Sequence, residues 1–269
     1  MTSRKTGIIG VGNMAGAILS GIIDSGIQSA SSLVLYDIMP DKLARFTDLG
    51  CVAAASEREL VQMCDTVILA IKPQGFGELL KNIADVLDES KLVISIAAGI
   101  GIDFINSAVG RTLPVVRVLP NTPMLLGMGV SAITYRAPVT EEQYEYACSI
   151  FRSCGSVYYV DEDKFNEIIC VHSSSPAYVF LFAKAMTDSA VAQGIDRKQA
   201  LAMIAGTFSG AAKMIEDSGL SCEELIQMVA SKGGTTEASL RSFEADGFAQ
   251  IVDRAMIACT DRARELGGK

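Results

Sequence analysis

Residues 7–16 read Gly-Ile-Ile-Gly-Val-Gly-Asn-Met-Ala-Gly, and this stretch decides the fold of the N-terminal half. An apolar strand, 6–9, runs into a Gly-x-Gly-x-x-Ala motif, and a helical segment, 15–24, follows. In this spacing the first glycine makes a tight turn, the second lets a pyrophosphate approach the backbone, and the alanine allows close helix–strand packing. The stretch predicts a dinucleotide-binding unit; a purely structural glycine turn is the alternative.

A second apolar strand, 33–36, ends at Asp37. An acidic residue at the end of this strand binds the ribose in many dinucleotide sites. Asp37 lies 27 residues after Gly10, which is longer than usual, so Tyr36 or Ile38 could take that place instead.

Short apolar runs alternate with helical segments up to about residue 160. We expect further strands at 66–71, 92–96, 114–118, 130–134 and 156–160, with helices at 40–49, 76–87 and 141–154. Such alternation predicts a doubly wound parallel sheet. Residues 1–161 are therefore predicted to form an α/β dinucleotide-binding domain of the Rossmann type.

The remaining residues, 162–269, show only helical patterns. We expect helices at 163–193, 197–217, 221–229, 236–246 and 248–266. They are apolar on much of their surface, which indicates burial on more than one side. This predicts an all-α dimerisation domain that packs against a second copy; an ordinary intrachain bundle is the alternative.

The second informative motif is Lys232-Gly233-Gly234-Thr235-Thr236, just ahead of a helical run. Glycines let a ligand approach backbone N–H groups, and a helix N-terminus adds unpaired donors and a positive dipole end. The motif predicts a pocket for a small carboxylate. A threonine N-cap after a glycine turn is the structural alternative.

The composition argues against several classes of function. The chain has 269 residues, 49% of them hydrophobic, and a net charge of −8, which argues against a nucleic-acid partner. Seven cysteines without a C-x-x-C pair indicate free thiols in a reducing compartment, and a single histidine makes a His-based metal site improbable. We expect a cytoplasmic protein with no metal, no membrane span and no signal peptide.

Ligands of open parallel sheets bind at the carboxyl ends of the strands. Besides the glycine motif, the segments expected there are Ala70–Gln74, Ala97–Gly99 and Pro120–Pro123. Lys72 could hold a ribose or phosphate oxygen, Ala97 leaves room for a flat ring, and Asn121 offers donors and an acceptor. A solvated lysine, close packing and an Asx or proline turn are the respective structural alternatives.

A conventional nucleophile or acid–base apparatus is missing from the sequence, and His172 is the only imidazole. We interpret His172, which lies in an apolar stretch, as a structural residue. Hydride transfer needs no protein nucleophile, because the cofactor performs the difficult step. An iminium ion needs little further activation, which suits a site built from backbone N–H groups and threonine hydroxyls.

Together these motifs resemble the pyrroline-5-carboxylate reductase family. The resemblance rests on Gly10–Ala15, Ala70–Gln74, Pro120–Pro123, Ser174–Phe180, Gly233–Thr236 and the ending 262–266, in this order over almost the whole chain. It implies a Rossmann domain joined to an α-helical dimerisation domain, 162–269, that also binds substrate. It further implies NADPH or NADH as cofactor and a homodimer that can assemble into a larger ring such as a decamer.

The resemblance assigns roles to residues of this chain. Thr236 would be catalytic, through a hydrogen bond near the ring nitrogen of the substrate. Gly233, Gly234, Thr235 and Ser174 would bind the substrate. The cofactor would be bound by Gly10, Val11, Gly12, Asn13, Met14, Asp37, Ala70, Lys72, Pro73, Ala97 and Asn121.

The chain departs from the family pattern at three places. Its second strand ends in Tyr36-Asp37, where NADP-preferring members tend to have small polar or basic residues. His172 to Ser175 replace a turn in which glycines usually alternate with serines, and Lys232 stands where proline is more frequent. Two other functions remain open from the sequence. A β-hydroxyacid dehydrogenase would need a catalytic lysine early in the helical half, where Lys164 is the nearest, and a non-catalytic NAD(P) sensor would not need the Gly233–Thr236 pocket.

Overall fold

The computed structural model describes residues 4–267, with side chains to residue 265. The chain divides into two compact units. The sheet unit comprises the described part of residues 1–174 together with the end of the chain from Cys259, and the helical unit comprises Ser175–Ala258.

The sheet unit is built on an eight-stranded sheet. Its strands are β1 (Thr6–Ile9), β2 (Leu33–Tyr36), β3 (Val52–Ala53), β4 (Thr66–Leu69), β5 (Leu92–Ser95), β6 (Val115–Leu119), β7 (Gly129–Tyr135) and β8 (Gly155–Tyr159). Its helices are α1 (Asn13–Asp24), α2 (Ala44–Thr47), α3 (Glu57–Met63), α4 (Phe76–Ile83), α5 (Ile102–Val109), α6 (Glu141–Arg152) and α7 (Phe165–Ile168).

The strand order is β3-β2-β1-β4-β5-β6-β7-β8. All neighbours pair in parallel except β6 and β7, so β7 and β8 run against the first six strands. The predicted fold class, a doubly wound and mostly parallel sheet followed by helices, is confirmed. The direction of the last two strands differs from a fully parallel sheet, because only nine residues join β6 to β7, fewer than a parallel crossover needs.

Side chains alternate between two cores, one on each face of the sheet. Ile8 and Ile68 pack with α1 and α6 residues such as Ile18 and Phe151. Their neighbours along the same strands, including Ile9, pack instead against α3, α4 and α5. Buried strands with helices on both faces place the loops, and hence any ligand, at the strand ends.

The helical unit contains α8 (Ser175–Ala192), α9 (Arg197–Asp217), α10 (Cys222–Val229), α11 (Thr235–Ala245) and the first part of α12 (Phe248–Gly267). Four phenylalanines of this unit contact one another, with Phe182 stacked on Phe208 at 5.9 Å between ring centroids and Phe243 packed on Phe248 at 5.4 Å. Many large apolar side chains remain exposed in this single chain; examples are Phe180, Leu181, Met203, Met228 and Val229.

The helix predicted for 163–193 is interrupted. Helix α7 ends at Ile168, a π-helical segment covers Ile169–Ser173, and α8 begins at Ser175. Pro176 has no backbone N–H and is tolerated only in a first helical turn, so α8 starts there. By length and composition alone, the described stretch Glu162–Ala192 could cross a membrane, at a mean hydropathy of 1.2.

Candidate active site

The glycine loop lies between β1 and α1 at the carboxyl edge of the sheet. Gly10 has φ +92°, and a Cβ there would approach the Ala70 carbonyl oxygen to 2.9 Å. Its N–H donates to the Tyr36 carbonyl at 2.8 Å, which fixes the turn between β2 and β4. Only glycine suits this conformation and this contact.

The start of α1 is open. Gly12 is the N-cap and contributes no side-chain hydrogen bond, and a Cβ built on it would have no neighbour within 4 Å. The first N–H groups of a helix have no partner within the helix, and they carry the positive end of its dipole. Asn13 and Met14 therefore present donors suited to a pyrophosphate, which fits the predicted dinucleotide site.

Asp37 is buried and its carboxylate is engaged within the protein. Its Oδ2 accepts from the Val11 N–H at 2.7 Å, and its Oδ1 accepts from the Met39 N–H at 2.9 Å. Lys42 Nζ lies 3.4 Å from the same carboxylate. Asp37 thus joins the glycine loop to the end of β2, a contact that the motif pattern does not predict.

A groove of about 840 Å³ runs along α1 from the glycine loop. Val11, Gly12 and Asn13 line it together with Lys42 and Arg45. Neither cation is among the site residues predicted from the sequence. Their position five and eight residues after Asp37 was the available signal, since basic residues after the second strand can accommodate a 2′-phosphate.

The other predicted cofactor residues follow β4, β5 and β6 at the same edge. Ala70 is half-buried, whereas Lys72 and Pro73 are exposed where a short 3₁₀ turn, Pro73–Gly75, begins. Ala97 is buried after β5. The parallel strands therefore bring these residues to the edge that carries the glycine loop.

Asn121, after β6, is buried and uses its amide within the protein. Its Oδ1 accepts from the Val130 N–H at 2.8 Å, and its Nδ2 donates to the His172 carbonyl at 3.0 Å. It thus connects the Pro120–Pro123 turn to the π-helical segment. Ser174, the next residue after that segment, is half-buried, and its Oγ lies 3.4 Å from Cys259 Sγ.

Arg117, in the middle of β6, is the buried cation of this region. Its guanidinium lies 4.6 Å from the Phe165 ring centroid, and its Nη1 is 3.5 Å from Glu162 Oε1. Burial lowers the pKa of Arg117, while Glu162 opposes the effect. Glu162 Oε1 also accepts from the Ile102 N–H at 2.8 Å, so the pair fixes the segment after β8 beside the start of α5.

In the helical unit, the Lys232–Thr236 motif forms a turn that leads into α11. Gly233 has φ +73°, and its N–H donates to Glu237 Oε2 at 2.6 Å. The Gly234 N–H donates to the Ser231 carbonyl at 2.9 Å, and Gly234 is the N-cap of α11 without a side-chain cap. Thr235 and Thr236 begin the helix, so their N–H groups have no partner within it.

Comparison with known proteins gives two family models. Residues 162–266 match the model described as pyrroline-5-carboxylate reductase dimerisation. Residues 5–99 match the model described as NADP oxidoreductase, coenzyme F420-dependent. The exposed apolar side chains of the helical unit and the stretch Glu162–Ala192 both fall in the dimerisation region.

Full-length relatives decide the family. The chain is 38% identical to pyrroline-5-carboxylate reductase of Escherichia coli over 264 residues, which cover 98% of both chains. The chain belongs to the pyrroline-5-carboxylate reductase family. As a family member it carries the dimerisation domain and is an oxidoreductase.

Solved structures of pyrroline-5-carboxylate reductases have the same fold. The Coxiella burnetii enzyme matches at a TM-score of 0.91 with 31% identity, covering 98% of this chain and 99% of that one. The Plasmodium falciparum enzyme, solved with NADP bound, matches at 0.90 with 30% identity and 99% coverage of both chains. The family assignment predicted from the motifs is confirmed over the whole length.

Proposed function

We propose that this member of the pyrroline-5-carboxylate reductase family reduces 1-pyrroline-5-carboxylate to L-proline, the last step of proline biosynthesis. The observation that carries the proposal is the uncapped start of α1 behind Gly10 and Gly12, in a chain that matches named reductases end to end. NADPH or NADH, when bound, supplies the hydride that adds to C5 of the substrate. The substrate reacts as its iminium ion, already protonated at the ring nitrogen, so the π pair of the C=N bond becomes the nitrogen lone pair and the secondary amine of L-proline results.

The cofactor residues belong to the sheet unit. Gly10, Val11 and Gly12 shape the loop, and the N–H groups of Asn13 and Met14 face the pyrophosphate position. Asp37 would bind the ribose, and Ala70, Lys72 and Pro73 would flank the ribose and nicotinamide. Ala97 leaves space for the ring, and Asn121 holds the neighbouring turn.

The substrate residues are Gly233, Gly234, Thr235 and Ser174. The glycine turn and the first N–H groups of α11 suit the substrate carboxylate, since a helix start favours an anion. The Thr236 hydroxyl acts as the catalytic group by hydrogen bonding at the ring nitrogen, whose basicity rises as the hydride adds. We assign residues 1–161 to cofactor binding, and residues 162–269 to dimerisation and substrate binding.

The assembly is a homodimer formed through the helical domain, and dimers can build a larger ring such as a decamer. Exposed apolar side chains such as Phe180 and Met228 support a protein partner for this surface, rather than a membrane. The net charge of −8 does not suit nucleic acid. Free cysteines throughout the described residues support a cytoplasmic location.

An assay of NADH and NADPH oxidation with 1-pyrroline-5-carboxylate tests this function. We expect stoichiometric formation of L-proline, detected by chromatography, with cofactor oxidation dependent on the substrate. A protein that binds NAD(P)H but oxidises neither form with this substrate would refute the proposal. If the protein instead reduces NAD+ or NADP+ with a β-hydroxyacid and does not react with 1-pyrroline-5-carboxylate, the result would support the dehydrogenase alternative.

A further inference from the structure

His172 lies where two segments of the sheet unit meet, the turn after β6 and the π-helical segment before Ser174. It is only 7% exposed. Its Nε2 lies 2.7 Å from the Leu119 carbonyl oxygen at the end of β6, and its Nδ1 lies 3.0 Å from the Ile168 carbonyl oxygen. The ring therefore spans two backbone acceptors, one local and one 53 residues away.

A second hydrogen bond runs in the opposite direction between the same segments. The His172 carbonyl accepts from Asn121 Nδ2 at 3.0 Å, and Asn121 Oδ1 accepts from Val130 at 2.8 Å. Leu119 itself packs with Ala132 and Phe165 in a small core cluster. His172 and Asn121 thus form a pair of bonds that holds the π-helical segment against the ends of β6 and β7.

The segment held in this way is not an ordinary helix. The Ser174 N–H donates to the Ile169 carbonyl at 2.9 Å, an i to i+5 bond, and both Cys170 and His172 are buried. Single π turns inside helices occur frequently at functional sites. Here the π turn ends at Ser174, a proposed substrate residue, and its bonded partner is Asn121, a proposed cofactor residue.

We propose that His172 is a positioning residue for the reductase reaction, acting through the Nε2–Leu119 hydrogen bond. The expected changes in kcat/KM rest on the proposed function. A singly protonated imidazole has one N–H and can donate to only one of the two carbonyls, whereas a doubly protonated ring donates to both. The bond from Nε2 to the Leu119 carbonyl therefore forms whenever Nε2 carries a proton, in one neutral tautomer and in the doubly protonated ring.

Two substitutions distinguish the bond to Leu119 from the bond to Ile168. The amide nitrogen of glutamine reaches the place of Nε2, whereas that of asparagine reaches the place of Nδ1. His172→Gln can therefore keep the bond to Leu119, and His172→Asn keeps only the bond to Ile168. His172→Phe keeps the ring shape without any donor.

We expect His172→Asn and His172→Phe to lower kcat/KM for pyrroline-5-carboxylate at least 10-fold, mainly through KM, and His172→Gln to stay within 3-fold of wild type. The Kd of NADPH, measured by fluorescence, should change less than 3-fold in all three, because Asn121 donates to the backbone carbonyl of residue 172, which every variant keeps. Tyr146→Phe is the matched control. It removes bonds from Tyr146 to Thr6 and Gln28, and Thr6 is at the amino end of β1, opposite the end that carries the glycine loop, so the change should lower Tm without changing KM.

The sequence contains one histidine, so nitrogen NMR of tag-free wild type reports this ring directly. A protonated Nε2 in slow exchange with water supports the proposal, and an unprotonated Nε2 overturns it even if a variant fails to fold. Wild-type kinetics in His172→Phe, or equal losses in the Gln and Asn variants, also overturn it. An inactive wild type with a protonated, protected Nε2 would refute the proposed function while leaving the Leu119 bond in place.

Discussion

The carboxylate of Asp37 accepts a 2.7 Å hydrogen bond from the backbone N–H of Val11. One acidic side chain at the end of β2 thereby holds the loop that faces the cofactor. A buried carboxylate that accepts backbone N–H groups is costly to remove, because those donors lose their partner.

We expect Asp37→Ser to reduce kcat/KM about 10-fold with both NADH and NADPH, since roughly 1.4 kcal/mol of loop stabilisation corresponds to that factor. If Asp37 is also the ribose ligand, the loss will be larger with NADH, because the variant loses the hydrogen bond from the 2′-OH of NADH. With NADPH the loss is smaller, because the variant no longer repels the 2′-phosphate. Steady-state kinetics with both cofactors measure this. Asp41→Asn, in the exposed turn before α2, removes an equal charge and should change neither value. If Asp37→Ser leaves kcat/KM unchanged with both cofactors, Asp37 has no role in the cofactor site.

Thr236 should affect catalysis more than folding. A substrate hydrogen bond that strengthens in the transition state is worth about 2.7 kcal/mol, or 10²-fold in kcat/KM, whereas loss of a cap alone costs about 1 kcal/mol of stability. We expect Thr236→Val to fold with a near-normal Tm and to lose 10²-fold or more in kcat/KM. Thr236→Ser keeps the hydroxyl and should retain much of the activity. Near wild-type turnover in the valine variant would show that the hydroxyl has no catalytic role.

Glu237 places a carboxylate on the Gly233 N–H, beside the proposed site for the substrate carboxylate. Like charges repel, so Glu237→Gln should lower KM for pyrroline-5-carboxylate several-fold with little change in kcat. It should also destabilise the protein by about 0.5 kcal/mol, because the start of α11 loses a favourable negative charge. Glu244→Gln, near the opposite end of α11, is the control. A higher KM in Glu237→Gln would instead make Glu237 part of the substrate site.

Gly155 permits the close pairing of β7 and β8. It has φ +143°, and a Cβ there would overlap the Gly129 carbonyl oxygen and approach the Gly129 nitrogen to 2.5 Å. Gly155→Ala should therefore cost about 3 kcal/mol or more, or prevent folding. Gly77→Ala, on the exposed face of α4 where a Cβ meets nothing within 4 Å, should stabilise by about 0.5–1 kcal/mol. Thermal melts of both variants test this pair, and a Gly155→Ala protein as stable as wild type would show that β7 and β8 can pair without this close contact.

Cys64 should resist alkylation in the native protein. Burial raises the pKa of its thiol to about 12, and the thiolate is the reactive form. At pH 8 iodoacetamide should modify the exposed Cys222 and leave Cys64 unmodified, as judged by peptide mass spectrometry. Unfolding in urea removes the burial that raises the pKa, so Cys64 should then react. Equal labelling of both residues in the native state would show that the α3 region opens.

The sequence was sufficient where one local pattern determines the structure. The bounds of β1 and β2 match the prediction, because buried parallel strands are continuous apolar runs between turns. The predicted helix at 40–49 is instead a 3₁₀ turn followed by the short α2. Of the three apolar residues at helical spacing there, Leu43 and Phe46 are buried and Leu49 is exposed. The two-residue β3 was not predicted because it is too short to show a period, and the helices α3 and α5 were not predicted either.

Other features depend on contacts between distant residues. The bonds of Asp37 to Val11 and of His172 to Leu119 join segments that only the folded sheet brings together. The reversal at β7 could have been predicted, because the link from β6 is too short for a crossover. The hydrogen bond from the Gly233 N–H to Glu237 could also have been predicted. A glutamate at the third position of a helix often reaches back to accept from a backbone N–H at the helix start.

The last described turns of α12 belong to the sheet unit, where Arg264 pairs with Glu167 at 2.6 Å and Ala263 is buried. Thr260 reaches Cys170, and Cys259 reaches Ser174, from the same stretch. During translation these residues leave the ribosome after the entire helical unit. The flank of the π turn in the nascent sheet unit therefore stays uncovered until the residues from Cys259 onward have been synthesised. A prematurely terminated polypeptide would keep that flank exposed, where chaperones and proteases can recognise it.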